Sequence, residues 1–64
     1  MISEKQLLEA IVKHTDKDRR FDVLIVAQEI HHPVDMEYSD AIKKLELLCI
    51  VKKETPSRYI FTGI

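Results

Sequence analysis

Residues 40–54, DAIKKLELLCIVKKE, change their hydrophobic period part-way along. Tyr38, Ala41, Ile42, Leu45, Leu48 and Cys49 recur at three and four residues and share one broad helical face. From Cys49 onward the pattern is that of a strand, and SRYIFTG, residues 57–63, is a β-rich partner for it. Thr55-Pro56-Ser57-Arg58 suits a type I turn with proline at its second position. A helix that runs straight into a hairpin commits the chain to an α+β fold.

The rest of the chain supplies two more helices. Ser3 and Gln6 fit a capping box, with Ile2 and Leu7 at the staple positions around it. Leu7, Leu8, Ile11 and Val12 then give a helical stripe that should fade near His14. TDKDRR, residues 15–20, is a polar connection. FDVLIVAQEIHH, residues 21–32, parses as a short strand at Phe21, an N-cap at Asp22 and a helix from Val23 to His31. Val23, Val26, Ala27 and Ile30 form its inner face, and Pro33 ends it. A third helix begins near Asp35, again an N-cap residue.

A chain of 64 residues makes one domain, residues 1–64. It buries roughly 60% of its extended surface, so its stability is marginal and self-association is a common remedy. Apolar residues are 45% and charged residues 33% of the chain, a globular balance rather than a disordered one. The single cysteine excludes an internal disulfide and points to a reducing compartment. The N-terminal segment has charges in place of an apolar signal region, and VLIVA is far too short to span a bilayer. The expected location is cytoplasmic. The net charge of −1 hides two basic groups, Lys17/Arg19/Arg20 and Lys43/Lys44/Lys52/Lys53/Arg58.

Helix, short strand, helix, tight turn, helix and hairpin is an order that resembles the winged helix-turn-helix superfamily over nearly the whole chain. FDVLIVAQEI looks like that superfamily's strand, cap and second helix. SDAIKKLELLCIVKKE is similar to its third helix and first wing strand, and RYIFTG resembles the returning strand. The resemblance implies three helices, a small antiparallel sheet and a C-terminal β-hairpin wing. It also implies a third helix in the DNA major groove and a wing on the phosphates. On that basis Ser39, Lys43 and Lys44 are expected base or phosphate contacts, and Lys52, Lys53 and Arg58 wing contacts. A solvated face is the plainer reading of any one lysine.

The sequence departs from the superfamily pattern in two ways. Cys49 stands where a glycine commonly takes the left-handed conformation of a helix C-cap; either the cysteine bears a cost of about 1 kcal/mol there or the turn is built differently. Leu24, Ile25 and Leu47 occupy positions normally charged; with Phe21 they are expected to form an interface patch. The alternative is that the first helix or the short strand covers them. Asp35, Glu37 and Asp40 crowd the start of the third helix. They favour the helix dipole there and oppose phosphate.

Other chemistry is thinly represented. His31 and His32 are adjacent and diverge on a helix, His14 is remote, and Cys49 lacks a CxxC mate, so no metal site is expected. One glycine excludes a Gly-rich phosphate loop. No cofactor and no enzymatic activity are expected. The reading is a small DNA-binding transcriptional regulator acting as a homodimer on double-stranded DNA. The alternative is a winged-helix protein-interaction module that does not bind DNA. No membrane partner is expected.

Overall fold

Each helix of the chain starts on a side chain that satisfies an orphan amide. In the computed structural model, which describes residues 2–63, the Ser3 hydroxyl accepts from Gln6 N–H at the start of α1 (Glu4–His14). Asp22 accepts from Leu24 N–H at α2 (Val23–Glu29), and Asp35 from Tyr38 N–H at α3 (Met36–Leu47). All three caps lie at the positions expected from sequence. The strands are β1 (Arg20–Asp22), β2 (Val51–Lys53) and β3 (Arg58–Phe61). They form one antiparallel sheet in the order β1-β3-β2, with Phe21 opposite Tyr59 and Val51 opposite Phe61. The chain is therefore α+β, three helices against a three-stranded sheet.

The core joins all six elements. Leu7, Ala10 and Ile11 of α1 meet Val23, Val26 and Ala27 of α2, Tyr38, Ile42 and Leu45 of α3, and Phe21, Val51 and Phe61 of the sheet. Tyr38 is the one core residue with a hydroxyl, and it donates to the Val23 carbonyl at 2.6 Å. That bond ties α3 to the start of α2 and removes the cost of an unpaired buried phenol. Burial also pushes the Tyr38 pKa upward.

Several side chains lie elsewhere than the periodicity suggests. Val12, expected in the α1 stripe, is exposed. The α1 face has rotated so that Ala10 replaces it against α2. Helix α2 stops at Glu29, before Pro33 acts, because His31 turns left-handed (φ 55°). Its N–H donates to Gln28 O (3.1 Å), and His32 N–H donates to Ala27 O (3.0 Å). The same pair of bonds closes α3: Cys49 (φ 62°) donates to Glu46 O and Ile50 to Leu45 O, both at 3.0 Å. These are Schellman caps carried by histidine and cysteine instead of glycine. The α3 cap swings Leu48 and Cys49 into solvent, off the core face where the helical period alone would put them.

Substituting glycine at Cys49 keeps both capping bonds and removes the Cβ strain. Cys49→Gly should raise unfolding stability by about 1 kcal/mol, whereas Leu45→Ala should lower it by about 2–5 kcal/mol. Both follow from urea unfolding midpoints. An unchanged midpoint for Cys49→Gly would contradict the strain.

A carboxylate bridges the seam between α1 and α2. Glu29 accepts from His14 Nε2 (2.9 Å) and from Lys13 Nζ (3.1 Å). The His14 hydrogen bond first, and Lys13 second, hold the Glu29 pKa below its ordinary value. A depressed carboxylate contributes stability above its unfolded pKa and loses it as pH falls through the folded one. Glu29→Gln should therefore remove part of the acid-side loss of stability. Urea midpoints across pH 6 down to about 2.5, bracketing the ordinary carboxylate range, make the comparison; identical slopes for the two proteins refute it.

Candidate nucleic-acid interface

Successive residues of a helix turn by about 100°, so burial of Tyr38, Ile42 and Leu45 fixes where every other α3 side chain lies. Met36, Asp40, Lys43 and Leu47 fall on the opposite face, and all four are exposed. Glu37 and Lys44 fall on one flank, towards α1. There Lys44 Nζ reaches Glu4 at 3.4 Å, and Glu37 accepts the Ile2 N–H at 2.9 Å. Ser39 lies on the other flank and lines a small groove with Leu24, Val34, Pro56 and Tyr59. Lys43 follows it one turn later.

The strands separate the remaining cations. Opposed residues of an antiparallel pair project to the same face, and neighbours alternate. Lys53 opposes Tyr59, which in turn opposes Phe21 on the helix-facing side. Lys52 opposes Ile60 and Arg58 opposes Asp22, both on the outer side. The six expected contact residues thus divide into three sets: Ser39, Lys43 and Lys53 towards α3 and the hairpin, Lys52 and Arg58 on the back of the sheet, and Lys44 against α1. Among the described residues Lys43, Lys52, Lys53 and Arg58 form no ion pair.

The other basic group is largely occupied by the fold. Arg19 donates to the carbonyls of Phe61 (3.0 Å) and Gly63 (2.8 Å) and lies over the Phe61 ring. Arg20 pairs with Glu54 at 3.1 Å. Of that group Lys17 alone, among the described residues, has no side-chain partner.

The expected interface patch breaks up. Phe21 is 2% exposed and stacks on Tyr59, so it belongs to the core and is unavailable to a partner. Its one-residue position between Arg20 and Asp22 places it on the inner face of β1, which sequence alone did not decide. Leu24, Ile25 and Leu47 are exposed as expected. They point to different neighbours: Leu24 to the α3–hairpin groove, and Ile25 to a cleft with Asp16, Asp22 and Arg58. Leu47 is eight residues beyond Ser39, about 12 Å along α3. A larger apolar groove of about 460 Å³, lined by Leu8, Val12, Leu48, Cys49, Ile50 and Phe61, went unnoticed in the sequence. Its signal was present in Val12 and Leu48, two apolar residues on the borders of their helical stripes.

One polar cluster was also missed. His32 Nε2 lies 3.5 Å from Glu37, and Nδ1 lies 3.9 Å from Asp35. The three side chains offer ligand atoms within 4.8 Å of one another, the only such trio among the described residues. Each is already engaged: Asp35 caps α3, Glu37 holds Ile2 N–H, and His32 Nδ1 sits 2.8 Å from the Pro33 carbonyl. The positive end of the α3 dipole also opposes a cation here. The spacing His32-x-x-Asp35-x-Glu37 was the sequence signal. The trio is best understood as a reinforced N-cap.

Comparison of the chain with protein-family models, with curated proteins and with solved structures found no match. Among the described residues no helix is long and apolar enough to cross a membrane.

The burial contrast between neighbouring residues is testable. Phe21→Ala should destabilise the domain by about 3–5 kcal/mol, while Ile25→Glu should leave the fold intact. Circular dichroism and urea unfolding of the two variants measure this. Unfolding of Ile25→Glu would place Ile25 in the core.

Proposed function

We propose that the chain is a winged helix-turn-helix domain that binds double-stranded DNA as a homodimer and regulates transcription. Helix α3 enters the major groove and the β2–β3 hairpin serves as the wing. One observation supports this above the others. Helix α3 buries a single stripe and leaves its whole opposite face open, beside a hairpin whose lysines are not committed to ion pairs. An exposed helix face of this width fits the geometry by which such helices meet base edges.

Contacts divide by chemistry. Lys43 and Lys53 lie on the side that α3 and the hairpin share, and they neutralise phosphate. Lys52 and Arg58 reach the backbone from the outer side of the wing. Lys44 contributes less, because Glu4 already screens it. The mechanism is positional and electrostatic, with no covalent step.

Docking of a protein is the second reading. It is favoured by seven large apolar side chains that are exposed among the described residues: Val12, Leu24, Ile25, Val34, Met36, Leu47 and Leu48. In that reading α3 and its neighbours meet a partner protein and DNA is never touched.

Titration of random-sequence duplex against salt separates the two. Each phosphate contact adds about 0.9 to the slope of log K against log salt. Lys43→Gln with Lys53→Gln should flatten the slope by up to ~2, and Lys44→Gln by less than one contact's worth. Absence of binding by the intact domain at low salt would overturn the DNA reading, and a sedimentation mass then tests the other.

A further inference from the structure

The outer face of α3 has an unusual vocabulary for reading bases. The helix, MEYSDAIKKLEL, contains no arginine, asparagine or glutamine. The usual two-pronged contacts to guanine and adenine by those residues are therefore unavailable to it. What the exposed face offers near the helix N-terminus is a thioether, a hydroxyl, a carboxylate and an ammonium, on Met36, Ser39, Asp40 and Lys43. Met36 is 79% exposed, and neither Asp40 nor Lys43 forms an ion pair among the described residues. Met36 to Lys43 spans seven residues, about 10 Å of helix. That is about three base-pair steps.

Each of these groups has a restricted counterpart in the major groove. A carboxylate accepts and cannot donate, so its partners are exocyclic amino groups; cytosine N4 suits Asp40 better than adenine N6, whose neighbouring N7 acceptor repels the carboxylate. It is repelled by every phosphate and gains nothing from a site lacking an amino group. An exposed apolar side chain such as Met36 gains from the thymine methyl, the one apolar group the major groove displays. Lys43, one turn beyond, can approach guanine O6 and N7 as a point charge.

We infer that α3 selects its site through pyrimidine groups, with Met36 on a thymine methyl and Asp40 on a cytosine amino group. This rests on the DNA-binding reading above. The acidic start of α3 then acts as a filter. It weakens binding to arbitrary duplex, and only a correctly placed cytosine offsets the repulsion.

The test is selection from a pool of duplexes with a randomised ten-base-pair centre, followed by titration of the selected site. The expected consensus holds a C·G pair within three base pairs of a thymine. Replacing that thymine by deoxyuridine removes only the methyl group. It should weaken wild-type binding about four-fold, the worth of one buried carbon, and leave Met36→Ala unaffected. Asp40→Asn should move the preference from cytosine towards adenine, which asparagine can bind in two-pronged fashion. Both residues are exposed, so circular dichroism of the variants should match wild type. Salt-dependent binding without a consensus overturns this inference and leaves the DNA reading standing. So does a selected site indifferent to deoxyuridine, or an unchanged cytosine preference in Asp40→Asn. Failure to bind any duplex overturns both.

Discussion

Two left-handed residues, His31 and Cys49, bracket α3 and determine where it can lie. Each closes a helix with the same two backbone bonds, and each does so without the glycine that makes such a turn easy. The strain of roughly 1–2 kcal/mol per residue is held because both exits are anchored by burial. Val26 and Ala27 hold the last turns of α2, and Leu45 with Val51 holds the passage from α3 into β2. Tyr38 then locks α3 to the start of α2 through its hydroxyl. With both ends and the middle fixed, α3 has one buried stripe and one free face.

Electrostatics on that face work against indiscriminate nucleic-acid binding. Asp40 is exposed on it, and Asp35 and Glu37 flank its beginning. Two of these acids have structural work at the helix start, one as cap and one on the Ile2 amide. The uncommitted cations are few and are spread over two sides of the hairpin. Under the DNA-binding proposal a duplex would be attracted only weakly at long range, and close complementarity would have to supply what charge does not. The exposed aliphatic residues beside α3 have the same consequence for a protein partner, since dispersed apolar groups reward only a surface that matches them.

Much of the fold was legible from local chemistry. The three N-caps, the period change at Cys49 and the pairing of the last two strands depend on neighbours within a few residues, so a single sequence carries them. The inner faces of α2 and α3 also followed from spacing alone at Val23, Val26, Ala27, Tyr38, Ile42 and Leu45. The exceptions have two causes. Leu48 and Cys49 satisfy the helical period yet lie in solvent, because the backbone turns away from the core just where the period would carry them in, whereas Val12 lies within α1 and loses its place because that helix buries Leu7, Ala10 and Ile11 instead.

The candidate site was legible only as a set of residue types. Lys43 and Lys44 are adjacent in sequence but about 100° apart on the helix, so one faces outward and the other meets Glu4. Lys52 and Lys53 are adjacent but project to opposite sides of the sheet. Phe21 is an interface residue by type alone, but the pairing of β3 with β1 turns it inward against Tyr59. His32, Asp35 and Glu37 converge because the chain folds back across the start of α3. The sequence by itself determined which segments became helix or strand and which residues cap them, since those choices are made by bonds within a turn or two. Only the tertiary structure decided which exposed groups share a surface, because that depends on how the elements rotate to bury a common core.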